Sequence, residues 1–179
     1  MLMEKTMTTM TTMTKTTKMT SSDSVCYRKR RILPYRACDL YALAADVTHY
    51  PDFVPWCRAV RILKRARTQN GTVTFTAEVT IGYNLATRSF CSQDYLYPAQ
   101  QQHDTWRIEA YGVDEVKSPF THLYNRWLFK PKAKGTEVEF YIEYALRSSW
   151  IASLLTLMFD NAAVTMIHAF EKRAQDTLD

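Results

Sequence analysis

The chain has 179 residues, enough for one domain with a sizeable core and too few for a second. Its formal net charge of +5 favours anionic partners, whether acidic lipid headgroups or RNA, and does not choose between them. Cys26, Cys38, Cys57 and Cys91 form no CxxC pair and follow no secretory signal, so they read as reduced thiols, and no apolar run is long enough to span a bilayer as a helix.

Residues 1–24 are a Met/Thr/Lys/Ser tract in which Glu4 is the one acid before Lys5, Lys15 and Lys18. Such a tract cannot bury enough apolar surface to offset chain entropy. A hydroxyl-rich, basic, acid-poor leader has the composition of an organelle transit peptide, though arginines are missing; a disordered leader or an upstream start-codon extension fits equally. The folded domain is expected over residues 25–179.

Val25 to Leu33 mixes β-branched and aromatic residues with Arg28, Lys29, Arg30 and Arg31, the composition of an edge strand whose charge discourages wrong pairing. Pro34 ends it. Tyr35 to Val47 has helical spacing, and a second helical turn is expected over Tyr50 to Val54, between Pro51 and Pro55. From there the period changes to two. Ala59 to Arg67 alternates, and Asn70-Gly71 is a strong hairpin signal. Thr72 to Ile81 places Phe75, Ala77, Val79 and Ile81 on one face. Gly82 is expected to mark the next turn, and Asn84 to Tyr97 reads as the following strand. Thr105 to Tyr111 has Trp106, Ile108 and Ala110 on one side. A strand bracketed by Pro119 and Pro131 aligns Leu123, Asn125, Trp127 and Phe129. After a turn at Lys132 to Gly135, Val138, Phe140, Ile142, Tyr144 and Leu146 face one way. Glu78, Glu139 and Glu143 fall on polar faces and are expected to be solvated.

An apolar sheet face needs a cover, and the segment from Ser148 to Leu178 is the candidate. Ser148 or Ser149 suits an N-cap. Ile151, Leu155, Met158, Phe159, Ala162, Met166, Ala169, Phe170 and Arg173 form a stripe on one helical face. The order strand, two short helices, six strands, long helix predicts an α+β fold, a curved antiparallel sheet of about seven strands around a long C-terminal helix. Such a sheet commonly leaves a cavity beneath the helix.

Catalytic and metal chemistry find no support. His49, His103, His122 and His168 are scattered without ligand spacing. No GxSxG elbow, P-loop or dinucleotide fingerprint is present, and Asp114-Glu115 reads as turn charge. The inward apolar residues, taken alone, read as ordinary core.

The stretch Tyr50-Pro51-Asp52-Phe53-Val54-Pro55-Trp56-Cys57 resembles the signature of the coenzyme Q-binding family of START-like, polyketide-cyclase-like proteins. Weaker agreement comes from Phe75 to Tyr83, from Trp127-Leu128-Phe129-Lys130-Pro131 and from Ala169 to Ala174. The similarity extends from about Val25 to Leu178. It implies a helix-grip fold whose tunnel binds ubiquinone or a related polyprenyl lipid, without catalysis or a catalytic cofactor. The ligand-binding set would be Phe53, Val54, Trp56, Phe75, Ala77, Val79, Ile81, Leu123, Trp127, Phe129, Phe140, Ile142, Tyr144, Leu155, Met158, Phe159, Ala162 and Met166. Trp127, Tyr144 and Asn125 would offer polar contacts to a quinone carbonyl.

Relatives in eukaryotes support quinone delivery at the mitochondrial inner membrane, which implies the matrix side for this chain. Bacterial relatives are toxins that block ribosomal subunit association, which implies the bacterial cytoplasm instead. A ribosome-association inhibitor and a cyclase or aromatase using the same cavity are the rival functions. The segment from Ser148 to Phe159 carries no charge, and Trp150, Leu154 and Leu157 lie outside the stripe. They read either as a patch docking on an anionic membrane or as a face buried in protein. DNA is not an expected partner.

Overall fold

Alternation along the strands decides which way each faces, and the register joins them into one sheet. The computed structural model describes residues 24–83, 86–101, 104–113, 118–147 and 162–178. The chain runs β1 (Val25–Leu33), α1 (Ala37–Ala45), a 3-10 turn (Val47–His49), α2 (Tyr50–Phe53), β2 (Cys57–Arg67), β3 (Val73–Tyr83), β4 (Ala86–Tyr97), β5 (Trp106–Gly112), β6 (Phe120–Lys132), β7 (Gly135–Leu146) and α3 (Ala162–Leu178). The strands form one antiparallel sheet in the order β1-β7-β6-β5-β4-β3-β2. This is a meander from β2 to β7, with β1 added beside β7. The α+β architecture and the seven curved strands agree with the sequence reading, and the basic β1 is indeed an edge.

The inner face carries the core: Phe75, Ala77 and Ile81 on β3, Ile108 and Ala110 on β5, Leu123, Trp127 and Phe129 on β6, and Val138, Phe140, Ile142 and Tyr144 on β7 are all buried. Leu40 and Ala44 of α1 and Ile167, Phe170 and Ala174 of α3 close over it. An aromatic knot joins the layers: the Phe170 ring lies 4.6 Å from Trp127, 5.0 Å from Phe53 and 5.3 Å from Tyr50. An ion pair of 3.3 Å between Arg31 of β1 and Glu171 ties α3 to the sheet edge.

Four expectations need correction. Gly82 does not mark a turn: it pairs with Thr87 inside the β3–β4 ladder, and its N–H donates to the Trp56 carbonyl. Pro131 does not end β6, which continues to Lys132. It lies beyond the last β5–β6 pair, Trp106 with Phe129, so no β5 neighbour needs its missing N–H. Glu139 is 3% exposed rather than solvated, because arginines surround it. On α3 the buried line is Ile167, Phe170 and Ala174, while Met166 is only half-buried and Arg173 lays its guanidinium over the Phe53 ring at 5.6 Å. The face is rotated because α3 packs against α1 and α2 as well as β1 and β7.

Gly135 is fixed by a close approach. Its φ is +120°, and a Cβ there would stand 2.1 Å from the Leu33 carbonyl oxygen. The expectations for residues 1–23, His103, Asp114, Glu115, Ser148, Ser149, Trp150, Ile151, Leu154, Leu155, Leu157, Met158, Phe159 and the Ala162 side chain lie outside the described residues.

Candidate ligand cavity

The inner face and its cover do not fill the space between them. A cavity of about 120 Å³ remains. Val54, Trp56, Ala77, Val79, Ile81, Leu123, Trp127, Phe140, Ile142 and Met166, all named from the sequence, line it. Four other residues of that set sit differently. Phe75, Phe129 and Tyr144 are buried in the surrounding core, and Phe53 packs edge-on against Tyr50 and Phe170. The lining also includes Val47, Tyr50, Cys57, Val60, Phe90, Ser92, Asp94, Ile108, Ala110, Gly112, Phe120 and Asn125. Asn125 was singled out from the sequence as a donor; the others were not.

The volume sets what fits. A cavity of roughly 150 Å³ lined by apolar side chains holds one benzene ring. This one is ring-sized, too small for a whole polyprenyl chain. An open groove of about 860 Å³ lies elsewhere, around Pro34, Arg36, Trp106, Pro131 and Lys132, and does not share this lining.

Few polar groups enter the cavity, and each has a definable state. The Tyr50 hydroxyl donates to the Ala44 carbonyl oxygen at 2.6 Å, and burial pushes its phenol strongly upward, so it stays protonated. Burial raises the Cys57 thiol to about 11, which keeps it neutral and unreactive. Asp94 is 6% exposed. Burial raises its carboxyl to about 7, although Ser92 Oγ donates to its Oδ2 at 2.6 Å and pulls the other way. The cavity thus holds ionisable groups among its apolar lining.

Ser92 and Asp94 escaped the sequence reading because polar residues on a strand are usually assigned to solvent. The available signal was the parity of Phe90, Ser92, Asp94 and Leu96, two apolar residues enclosing two polar ones on one face. Among the described residues no three His, Cys, Asp or Glu side chains cluster as a metal site, and no helix is long and apolar enough to cross a membrane.

The opposite sheet face is a different surface. Tyr95 and Tyr97 stack with centroids 6.3 Å apart, and the line continues through Tyr111, Tyr124 and Tyr141 at steps of 5.8, 5.0 and 6.0 Å. Arg107 lies over Tyr97 at 4.1 Å, and Arg28 and Arg126 lie over Tyr141.

The chain is 28% identical over 152 residues to the ribosome association toxin RatA of Rickettsia prowazekii, covering 85% of this chain and 97% of that protein. It is 27% identical over 154 residues to the mitochondrial coenzyme Q-binding protein COQ10 homolog B of Xenopus laevis, covering 83% of this chain but 57% of the frog protein. An 18 kDa protein of Caulobacter crescentus superposes with a TM-score of 0.64 at 30% identity, over 84% of this chain and 96% of that one. The Zhui aromatase/cyclase of Streptomyces shares the fold, with a TM-score of 0.69 at 15% identity over 87% of this chain and 96% of that one. The helix-grip architecture and the likeness to coenzyme Q-binding, START-like proteins thus agree with the resemblance carried by Tyr50 to Cys57. With a family model matching residues 33–171, the chain belongs to the polyketide cyclase/dehydrase and lipid transport family.

Proposed function

We propose that this protein binds the ring of ubiquinone or a related polyprenyl quinone in the cavity under α3 and delivers it to the respiratory chain at the mitochondrial inner membrane. The observation that carries the reading is the ring-sized, apolar cavity with few polar groups, in a chain similar over most of its folded length to coenzyme Q-binding proteins. The ring displaces little ordered water from such a wall, and each Å² of apolar surface buried contributes roughly 25 cal/mol before entropy costs. The isoprenoid tail is too large for the cavity and leaves through its mouth. The reading is of a carrier rather than an enzyme, because among the described residues of the lining no histidine or lysine stands with Asp94 to complete an acid–base pair. Gentle purification followed by solvent extraction and mass spectrometry tests it. Co-purified quinone at near-stoichiometric amounts is expected; repeated recovery of none overturns the reading.

A second reading has its own observation. The tyrosine line on the outer sheet face, with Arg28, Arg107 and Arg126 over its rings, is a platform of a kind that stacks single-stranded bases. It supports ribosome association, in keeping with the RatA similarity. Salt-sensitive binding to ribosomal RNA that is lost in Tyr111→Ala/Tyr124→Ala would favour it over the carrier reading.

A further inference from the structure

The strand register lines up three cavity residues across the sheet: Asp94 on β4 opposes Ala110 on β5, which opposes Asn125 on β6. Neighbouring strands stand about 4.8 Å apart, so Asp94 and Asn125 are roughly 10 Å apart with a single methyl group between them. All three line the cavity. The small Ala110 leaves a floor on which a flat ring can lie, and the two polar side chains face its opposite edges. Ser92 occupies Oδ2 of Asp94. Among the described residues no hydrogen bond engages its Oδ1.

We propose that Asp94 and Asn125 grip the two opposed oxygens of a neutral dioxo ring seated over Ala110, Asp94 giving its carboxylic proton to one oxygen and Asn125 an amide N–H to the other. This rests on the quinone reading above and assigns the ring its position within the cavity. The groups facing Asp94 agree with a neutral acid. Ser92 lies beside it on β4, Tyr50 of α2 interacts with it, and Cys57 of β2 lines the same cavity; Tyr50 and Cys57 both stay protonated. Its register neighbours, Phe75 on β3 and Ala110 on β5, carry no charge. Asp46, which pairs with His49, acts on Tyr50, and Arg65 of β2 lays its guanidinium over the Phe75 ring at 6.0 Å and acts on Asp46 rather than on Asp94. Among the described residues no cation acts on Asp94 to hold it ionised, and burial keeps its proton on up to about pH 7.

Selectivity follows from proton inventory. Neutral Asp94 donates to a quinone carbonyl, which can only accept. Ionised Asp94 only accepts, so it repels the carbonyl and suits the hydroxyls of the reduced quinol. The site thus holds the oxidised ring in acid to neutral conditions and loosens it as pH rises.

The test is titration of the full chain with a short-tailed benzoquinone from about pH 5 to about pH 9, read by quenching of tryptophan fluorescence, with an alkylbenzene of the same tail as control. For the wild type, affinity for the quinone is expected to be flat below about pH 7 and to fall by up to about tenfold per pH unit above it. Asp94→Asn keeps a donor and should bind within about threefold of the acid-side value with no pH dependence. Asp94→Leu should bind the quinone about three- to tenfold more weakly at acid pH, with the alkylbenzene unaffected. If Asp94→Leu does not fold, the pH profile of Asp94→Asn decides. A wild-type profile that is flat, or an Asp94→Asn profile that still falls, overturns the grip and leaves quinone binding standing. Absence of quinone binding by the wild type at every pH overturns both.

Discussion

The Nε of Arg30 on β1 lies 2.5 Å from Oε2 of Glu139, the residue directly opposite it on β7. Arg126, reaching over from β6, donates from Nη2 to Oε1 at 3.0 Å. One buried carboxylate thus fastens the added edge strand to the meander. Burial pushes the Glu139 carboxyl up, but the hydrogen bonds from Arg30 and Arg126 and the charges of Arg30 and Arg28 outweigh it, and the group sits below the usual glutamate range. A depressed folded-state value contributes stability that is present above the unfolded carboxylate value and is lost as pH falls through the folded one.

Glu139→Leu is therefore expected to destabilise the fold by about 2 kcal/mol at neutral pH, less than a fully buried pair because both arginines are partly exposed. Arg126 would bear much of the cost, since its Nε is already buried without a partner among the described residues. Chemical denaturation at neutral and acid pH checks this: the gap between wild type and variant should narrow toward acid, and a gap independent of pH would show that the carboxylate is not its source.

Asp94 has the opposite sign. Its folded-state value, about 7, lies above that of an unfolded aspartate, so the neutral acid favours the fold. That contribution is complete below the unfolded value and is lost as pH rises through about 7. A rise of about three pH units bounds the loss at about 4 kcal/mol. Asp94→Asn cannot ionise, so it should gain stability relative to the wild type between acid and mildly alkaline pH. Thermal melts across that range read the difference directly, and parallel curves would refute it.

Most of the frame was legible because each strand obeys its own alternation and the β2–β3 hairpin announces itself at Asn70-Gly71. The misreadings share one cause: a local rule yielding to a partner distant in sequence. Gly82 looked like a turn until β4 paired with it. The α3 stripe was rotated by packing against α1 and α2. Glu139 looked solvated because Arg30, 109 positions away, cannot be seen as its neighbour from spacing alone. Asp94 was passed over for a different reason: charge on a strand is usually assigned to solvent, and only the parity of Phe90 and Leu96 on the same face argued otherwise. The apolar cavity wall was the easier part to read, since apolar alternation marks an inner face whether or not that face is filled.

Gly135 offers a test of backbone geometry with no ligand involved. Gly135→Ala places a methyl group against the Leu33 carbonyl at a positive φ, where the β1–α1 connection crosses the start of β7. Leu33 and Thr136 are register partners, and Thr136 Oγ1 donates to the Tyr35 carbonyl oxygen at 2.7 Å, so the neighbouring backbone is held and cannot give way cheaply. A loss of about 2 to 3 kcal/mol is expected in denaturant unfolding. A variant as stable as the wild type would mean that the Leu33–Pro34 segment moves freely.

Ala110→Leu separates the cavity from the rest of the fold. The added carbons project into a space of about 120 Å³ between Asp94 and Asn125. The larger side chain projects into the cavity rather than into packed atoms, so it gains contacts instead of overpacking, and the melting temperature should hold or rise. A ring can no longer lie flat on that floor, so affinity for a short-tailed quinone should drop at least about tenfold, as expected when steric exclusion removes burial of a whole ring. A calorimetric melt and a quinone titration on the same sample read both effects. Unchanged affinity with a raised melting temperature would place the ring elsewhere in the protein. A lowered melting temperature would mean that the space is already filled by motion of Phe90 or Leu123.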